Sequence, residues 1–150
     1  MNLEIKINDE LKAATKAGDK VRMETLRSIR AGILELQKSG MDREMNEQDE
    51  LKILQNGAKK RRDAIDMYLQ ANRAELADKE KAELAIIEEF LPKQLSAAEV
   101  EAEVKKIITE TGATDLSALG KLMGAAMKAL AGKADGKLVQ QTVRSMLGGN

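Results

Sequence analysis

The sequence predicts an all-α protein, and three observations support that fold class. Ala, Leu, Glu and Lys dominate the 150 residues, runs of β-branched residues are short, and the chain has one Tyr, one Phe and no Trp. Apolar residues recur every three or four positions, which is the period of a helix with one buried face. We therefore expect an N-terminal region of four helices over residues 1–93 and a small C-terminal domain of three helices over residues 94–150.

The four N-terminal helices follow from the apolar spacing and from residues that favour helix ends. The first, at about residues 2–17, ends before Gly18, and Asp19 caps the second, at about 20–38. Asn46 caps a third helix that continues to about residue 71, and a fourth covers about 73–90. The expected buried residues are Leu3, Ile7, Leu11, Ala14, Leu26, Ile29, Ile33, Leu36, Leu51, Leu54, Ala58, Ile65, Leu69, Leu76, Leu84, Ile87 and Leu91.

The only proline marks the boundary between the two regions. Pro92 cannot continue a helix and disfavours helical geometry at Leu91. Ser96 and Glu99 then have the spacing of a capping box for a fifth helix, which Gly112 ends. A sixth helix begins near Asp115, and Asp135 caps a seventh. The expected buried residues here are Val100, Val104, Ile107, Ile108, Leu116, Leu119, Met123, Met127, Leu130, Leu138, Val139, Thr142, Val143, Met146 and Leu147.

The composition excludes several kinds of chemistry. The chain has no His and no Cys, which excludes Cys nucleophiles, Ser-His-Asp triads, ordinary zinc sites and disulfides. No apolar run approaches the roughly 20 residues that span a bilayer, and the N-terminus lacks the layout of a signal peptide. We expect no catalytic residue, no metal, no cofactor, no membrane segment and a cytoplasmic location.

Glycines and cations cluster near the C-terminus. Residues 112–150 contain five Lys/Arg and two Asp/Glu, although the whole chain has 25 of each. Helical spacing places Lys121, Gly124 and Lys128 opposite the apolar stripe of the sixth helix, so bare backbone would lie between two ammonium groups. Asp135 and Gly136 would leave backbone N–H groups at a helix start, where anions are favoured. The candidate nucleic-acid-binding residues are Gly120, Lys121, Gly124, Lys128, Lys133, Asp135, Gly136, Lys137 and Arg144.

Two interpretations of this cluster stay open on residue chemistry alone. The glycines and lysines could contact phosphates, or the glycines could let helices cross closely while the lysines remain solvated. Residues 94–150 contain no aromatic side chain on which a base could stack. If the partner is RNA, we therefore expect contact with the backbone of a folded molecule.

A second cation run, Lys59 to Arg62, lies in the third helix. Helical spacing puts Arg61 into the apolar stripe, and Glu80 and Glu83 fall near the stripe of the fourth helix. We favour a partly buried pairing of Arg61 with these acids that fixes helix register. Contact of Lys59 or Arg62 with RNA, alone or with Arg27 and Arg30, is the less favoured interpretation.

Several motifs resemble a known family. They are residues 60–63 (Lys-Arg-Arg-Asp), 83–95 (Glu-Leu-Ala-Ile-Ile-Glu-Glu-Phe-Leu-Pro-Lys-Gln-Leu), 120–124 (Gly-Lys-Leu-Met-Gly) and 132–139 (Gly-Lys-Ala-Asp-Gly-Lys-Leu-Val). The whole chain resembles the YqeY-like proteins. Residues from about 94 onward resemble the tail domain of the GatB subunit of aspartyl/glutamyl-tRNA amidotransferase. One departure is residues 129–131 (Ala-Leu-Ala), where relatives are often more basic.

The resemblance implies an all-helical protein whose C-terminal domain is similar to a module that contacts tRNA in the amidotransferase. The residues in the matching motif are Lys121, Gly124, Lys128, Lys133, Asp135, Gly136 and Lys137. The resemblance also implies a link to carbon–nitrogen ligation with glutamine as amide donor. The sequence lacks the Cys–His pair or the Ser–Ser–Lys set that would release ammonia, and it has no Gly-rich phosphate loop between strand and helix.

We therefore weigh three hypotheses. The first is a non-catalytic module that binds tRNA or an enzyme that modifies or aminoacylates tRNA. The second is a protein–protein adaptor without nucleic acid. The third, and least favoured, is an amidotransferase-like enzyme.

Overall fold

The chain is all-α in the computed structural model, which describes residues 2–112 and 115–148, and the predicted fold class is confirmed. The helices in these ranges are α1 (Leu3–Ala17), α2 (Lys20–Gln37), α3 (Glu47–Gln70), α4 (Ala74–Glu88), α5 (Ala97–Thr111), α6 (Leu119–Ala129) and α7 (Gly136–Gly148). A 3₁₀ turn, Leu116–Ala118, precedes α6.

The helix ends are where local sequence signals predict them. Gly18 and Gly112 follow α1 and α5 with φ angles of 71° and 70°, a left-handed geometry that glycine adopts without strain. The Asp19 side chain accepts a hydrogen bond from the backbone N–H of Arg22 at 3.1 Å. Ser96 and Glu99 form the predicted capping box of α5. These ends depend on residues within four positions of each other, which explains why sequence predicts them well.

The chain divides into two compact units, an N-terminal unit (Met1–Leu91) and a C-terminal unit (Pro92–Asn150). The N-terminal unit contains α1 to α4, and the C-terminal unit contains α5 to α7. The division into domains of residues 1–93 and 94–150 stays a prediction.

The N-terminal unit has its own hydrophobic core, contributed by all four helices. Its fully buried side chains include Leu3 and Ile7 from α1, Leu26 from α2, Leu54 from α3 and Ile87 from α4. A polar contact joins α1 and α3 as well. Glu50, only 5% exposed in the first turn of α3, accepts a hydrogen bond from the backbone N–H of Leu3 at the start of α1.

The C-terminal unit has a second core built from its three helices. Val100 and Val104 of α5, Leu122 and Ala126 of α6, and Val143 of α7 are fully buried. Met123 and Met127 flank the α6 residues and are partly buried. The centre of the α6 stripe is therefore Leu122 and Ala126, which the predicted stripe omitted.

Two predicted core residues are exposed. Leu69 is 47% exposed near the end of α3. The helical period predicts which face of α3 is buried, but it does not predict how far along that face another helix covers it. Leu116 is 58% exposed because it begins a 3₁₀ turn, whose three residues per turn break the register extrapolated from α6.

Candidate nucleic-acid interface

One face of α6 leaves the helix backbone uncovered. Gly120 and Gly124 are exposed, and a methyl group added at either would meet no atom within 4 Å apart from its chain neighbours and the backbone of its own helix. Lys121 and Lys128, on the same face by their spacing, are exposed as well. We call these four residues the α6 face. Its geometry is the one that the sequence predicts: bare main chain between two ammonium groups.

The charges of the α6 face are not neutralised by neighbours. Neither Lys121 nor Lys128 forms an ion pair with residues 2–112 or 115–148. No Asp or Glu occurs within α6 or α7, and Asp135 is the single acid between residues 116 and 148. By contrast, α5 contains Glu99, Glu101, Glu103 and Glu110 beside two lysines. The local field around α6 therefore favours an anionic partner.

A small cavity of about 280 Å³ adjoins the start of the α6 face, with Lys121, Thr111 and Asp115 among its lining residues. The Asp115 carboxylate accepts hydrogen bonds from the hydroxyl and the backbone N–H of Ser117, which lower the pKa of Asp115. Asp115 is therefore ionised at neutral pH. An anionic ligand would meet this carboxylate at one end of the α6 face and the two lysines along it.

The start of α7 has the Asp135 cap that the sequence predicts. The Asp135 carboxylate accepts a hydrogen bond from the backbone N–H of Lys137 at 3.4 Å, so this helix start already has an anionic cap. A methyl group at Gly136 would lie 3.2 Å from Cε of Met127, so the absent side chain allows close packing there. An anion at this helix start would meet the Asp135 carboxylate, and anion binding at residues 135 and 136 stays a prediction.

The other predicted cations lie in two further places. Lys133 is exposed in the loop between α6 and α7. Lys137 and Arg144 are exposed on α7, and their spacing of seven residues puts them on one face. Lys133 and Arg144 form no ion pair within the described ranges. The structure thus brings Gly120, Lys121, Gly124 and Lys128 together on α6 and leaves the rest on the loop and α7.

Residues 92–95, which the sequence predicts only as a boundary between the two regions, form hydrogen bonds with the loop between α6 and α7. The Gln94 amide donates hydrogen bonds to the carbonyl oxygens of Gly132 at 2.7 Å and Pro92 at 2.9 Å. The backbone N–H of Leu95 donates to the carbonyl oxygen of Lys133 at 2.8 Å. Gly132 is buried with a φ of 78°, which fixes the direction in which the chain enters the loop. Sequence reasoning missed the positioning role of Gln94, whose partner lies 38 residues away.

The second cation run has a structural role in the N-terminal unit. Nε of Arg61 lies 3.4 Å from Oε2 of Glu83, and the two side chains are 13% and 12% exposed. Arg61 also donates to the Gly57 carbonyl and the Ser28 hydroxyl, at 3.3 and 3.1 Å. The favoured interpretation of a partly buried Arg–Glu pairing is confirmed for Glu83.

In the less favoured interpretation, Lys59 or Arg62 contacts RNA, but both side chains already lie close to a carboxylate. Nζ of Lys59 lies 2.8 Å from Asp63, and Nη2 of Arg62 lies 3.6 Å from Glu88. Any phosphate at these positions would compete with a carboxylate already in place.

Two other kinds of site have no candidate within residues 2–112 and 115–148. No group of three or more His, Cys, Asp or Glu side chains is arranged to hold a metal ion. None of the described helices is long and apolar enough to cross a membrane.

Comparison with known proteins gives a family and three relatives. The family model described as "Yqey-like protein" matches residues 4–147. The chain is 28% identical over 106 residues to "Altered inheritance of mitochondria protein 41, mitochondrial" of Lachancea thermotolerans, covering 69% of this chain and 57% of that protein. It is 43% identical over 72 residues to a glutamyl-tRNA(Gln) amidotransferase subunit of Thermococcus sibiricus, covering 45% of this chain and 11% of that protein.

The third relative is an uncharacterized protein of Schizosaccharomyces pombe, 38% identical over 48 residues, which are 32% of this chain and 39% of that protein. The chain thus spans less than two thirds of each of these relatives. The similarity to an amidotransferase subunit supports the resemblance to the GatB tail domain.

Proposed function

The chain belongs to the Yqey-like protein family, and we propose that it is a helical module that binds tRNA and catalyses no reaction of its own. The observation on which this rests most is the α6 face, where Gly120 and Gly124 expose main chain beside two lysines that have no ion-pair partner in the described ranges. Phosphate groups approach such a surface closely, because no side chain stands above the helix backbone.

Further support comes from one relative and from the composition. The Thermococcus sibiricus relative is named as part of an amidotransferase for glutamyl-tRNA(Gln). The absence of His and Cys from the sequence removes the usual nucleophiles and bases of amide transfer. Binding to tRNA, or to an enzyme that modifies or aminoacylates tRNA, requires only exposed lysines and glycines such as those of the α6 face. The cytoplasmic location stays a prediction, since the Lachancea thermotolerans relative is named as mitochondrial.

Mobility-shift titration of the full chain with total tRNA tests the proposal. We expect Lys121→Glu combined with Lys128→Glu to weaken binding at least about tenfold and to reduce the slope of log affinity against log salt by about 2, because two phosphate contacts are lost. The matched control is Lys105→Glu with Lys106→Glu, which makes the same charge change on exposed positions of α5. Equal affinity of all three proteins would contradict the proposal.

The adaptor hypothesis predicts a different outcome from the same protein. A partner helix, instead of a phosphate backbone, would then cover Gly120 and Gly124. In that case a stoichiometric protein partner is recovered after nuclease treatment, and tRNA produces no shift. Release of ammonia from glutamine by the purified chain would instead support the enzyme hypothesis.

A further inference from the structure

A groove on the N-terminal unit, between α1 and α2, concentrates cations. Its cavity of about 650 Å³ is lined by Asn8, Leu11, Lys12, Thr15, Lys16 and Arg30. Three of these six residues are cationic, and none is acidic. Lys12, Lys16 and Arg30 are all exposed, and none of them forms an ion pair within the described ranges. We call this feature the α1–α2 groove.

Three acids of the same two helices contact other side chains. Glu10 pairs with Arg22 at 2.8 Å, and Glu24 lies 3.6 Å from Nζ of Lys79. The Glu4 carboxylate accepts a hydrogen bond from Gln37 at 3.0 Å.

Three acids of α1, α2 and the turn between them remain. Glu35 lines a different cavity, on the α3 side of α2, Asp9 is exposed next to Asn8 on α1, and Asp19 in the turn caps α2. Even with Asp9 and Asp19 counted, the three cations leave the groove with excess positive charge.

We propose that the α1–α2 groove binds phosphates of an RNA backbone, as a second contact for the RNA of the proposed function, on which this inference rests. The Arg30 guanidinium can donate two parallel hydrogen bonds to a phosphate, and the ammonium groups of Lys12 and Lys16 supply mobile point charges. The Asn8 amide can add a neutral donor. Thr15 contributes no donor, because its hydroxyl already donates to the Leu11 carbonyl at 2.8 Å.

The surroundings favour a phosphate polymer over a lipid surface. Helices that lie in a membrane interface insert large apolar side chains, often aromatic ones, from one face. No aromatic residue lines the groove, and its apolar contribution is the partly buried Leu11. The same lack of aromatics excludes base stacking there, so the contact would be insensitive to sequence. Two phosphate-binding surfaces on one chain would also raise affinity through effective concentration.

The test uses the full chain and three proteins in the same tRNA titration. The groove variant combines Lys12→Gln, Lys16→Gln and Arg30→Gln. The control combines Lys20→Gln, Lys38→Gln and Lys52→Gln, which removes the same charge from exposed positions of the N-terminal unit outside the groove. We expect the groove variant to bind at least about tenfold more weakly at moderate salt and to lower the salt slope by about 2 to 3, with the control near wild type.

The outcomes separate the two proposals. If wild type binds tRNA, the α6-face variant is impaired and the groove variant matches the control, the groove inference is wrong and the proposed function stands. If wild type does not bind tRNA, the proposed function fails, and the groove inference with it. If the groove variant loses binding only to vesicles of equimolar phosphatidylcholine and phosphatidylserine, the groove is a lipid site and the RNA inference is overturned.

Discussion

The helix-packing contacts of the N-terminal unit and the α6 face of the C-terminal unit use charge and glycine in opposite ways. In the N-terminal unit, ion pairs join different helices, as with Arg61 to Glu83 and Arg22 to both Glu10 and Glu89. In the C-terminal unit, Lys121 and Lys128 have no ion-pair partner within the described ranges. The first pattern fixes how helices pack, whereas the second leaves charge available to a ligand.

The glycines differ as well, since some allow helices to pack closely and others are exposed. A methyl group at Gly32 would lie 3.0 Å from Cγ2 of Ile53, and one at Gly57 would lie 3.3 Å from Cδ1 of Ile87. Both glycines therefore allow helices of the N-terminal unit to approach closely. At Gly120 and Gly124 of the C-terminal unit, nothing lies within 4 Å. A glycine in a helix costs about 1 kcal/mol relative to Ala, so the exposed pair reduces stability without any packing benefit within its own unit.

The largest expected effect tests whether the two cores are separate. Leu122→Ala should destabilise the C-terminal unit by about 2–5 kcal/mol, because a fully buried side chain leaves a cavity. Amide hydrogen exchange should then accelerate in α5 to α7 and stay unchanged in α1 to α4. Leu54→Ala, equally buried in the N-terminal unit, is the matched control and should give the reverse pattern. Uniform acceleration in either variant would contradict independent folding of the units.

A smaller change in the free energy of unfolding, with opposite signs in the two units, tests the comparison of the glycines. Gly124→Ala should raise the free energy of unfolding by up to about 1 kcal/mol, because alanine favours the helix and its methyl group meets nothing. Gly32→Ala should lower it by about 1 kcal/mol, since Ile53 must move to admit the methyl group. Urea unfolding measures both. If Gly124→Ala destabilises the protein instead, the α6 face is covered and the proposed site is wrong.

The smallest effect concerns a partly buried acid. Burial raises the pKa of Glu80, and the nearby Glu83 carboxylate adds to the rise, so ionised Glu80 is less stable in the folded protein than in the unfolded chain. The resulting destabilisation is present at neutral pH and disappears as the pH falls below the ordinary value of 4.5. Glu80→Gln should therefore stabilise the protein slightly at neutral pH but not at acidic pH.

Urea unfolding at both pH values is the measurement for Glu80. Glu103→Gln, at an exposed position of α5, is the control and should change stability little at either pH. A gain for Glu80→Gln that is the same at both pH values would mean that ionisation is not its cause.

Much of the fold is determined by the sequence itself. The caps at Asp19, Asn46 and Ser96 and the left-handed glycines at 18 and 112 depend on neighbours within one helical turn, and all are as predicted. The sequence also predicts the outward position of Lys121, Gly124 and Lys128, because the helical period alone assigns residues to faces.

Tertiary structure decided what depends on distant partners. Only packing shows that Gln94 holds the loop at Gly132, that Glu50 binds the start of α1, and which of the two predicted acids, Glu83, pairs with Arg61. It also decided that Leu116 is exposed and that Gly136 packs closely against Met127. The physical reason is that a local pattern specifies a face and an end of each helix, whereas the groups that meet across distant parts of the sequence depend on how the helices pack.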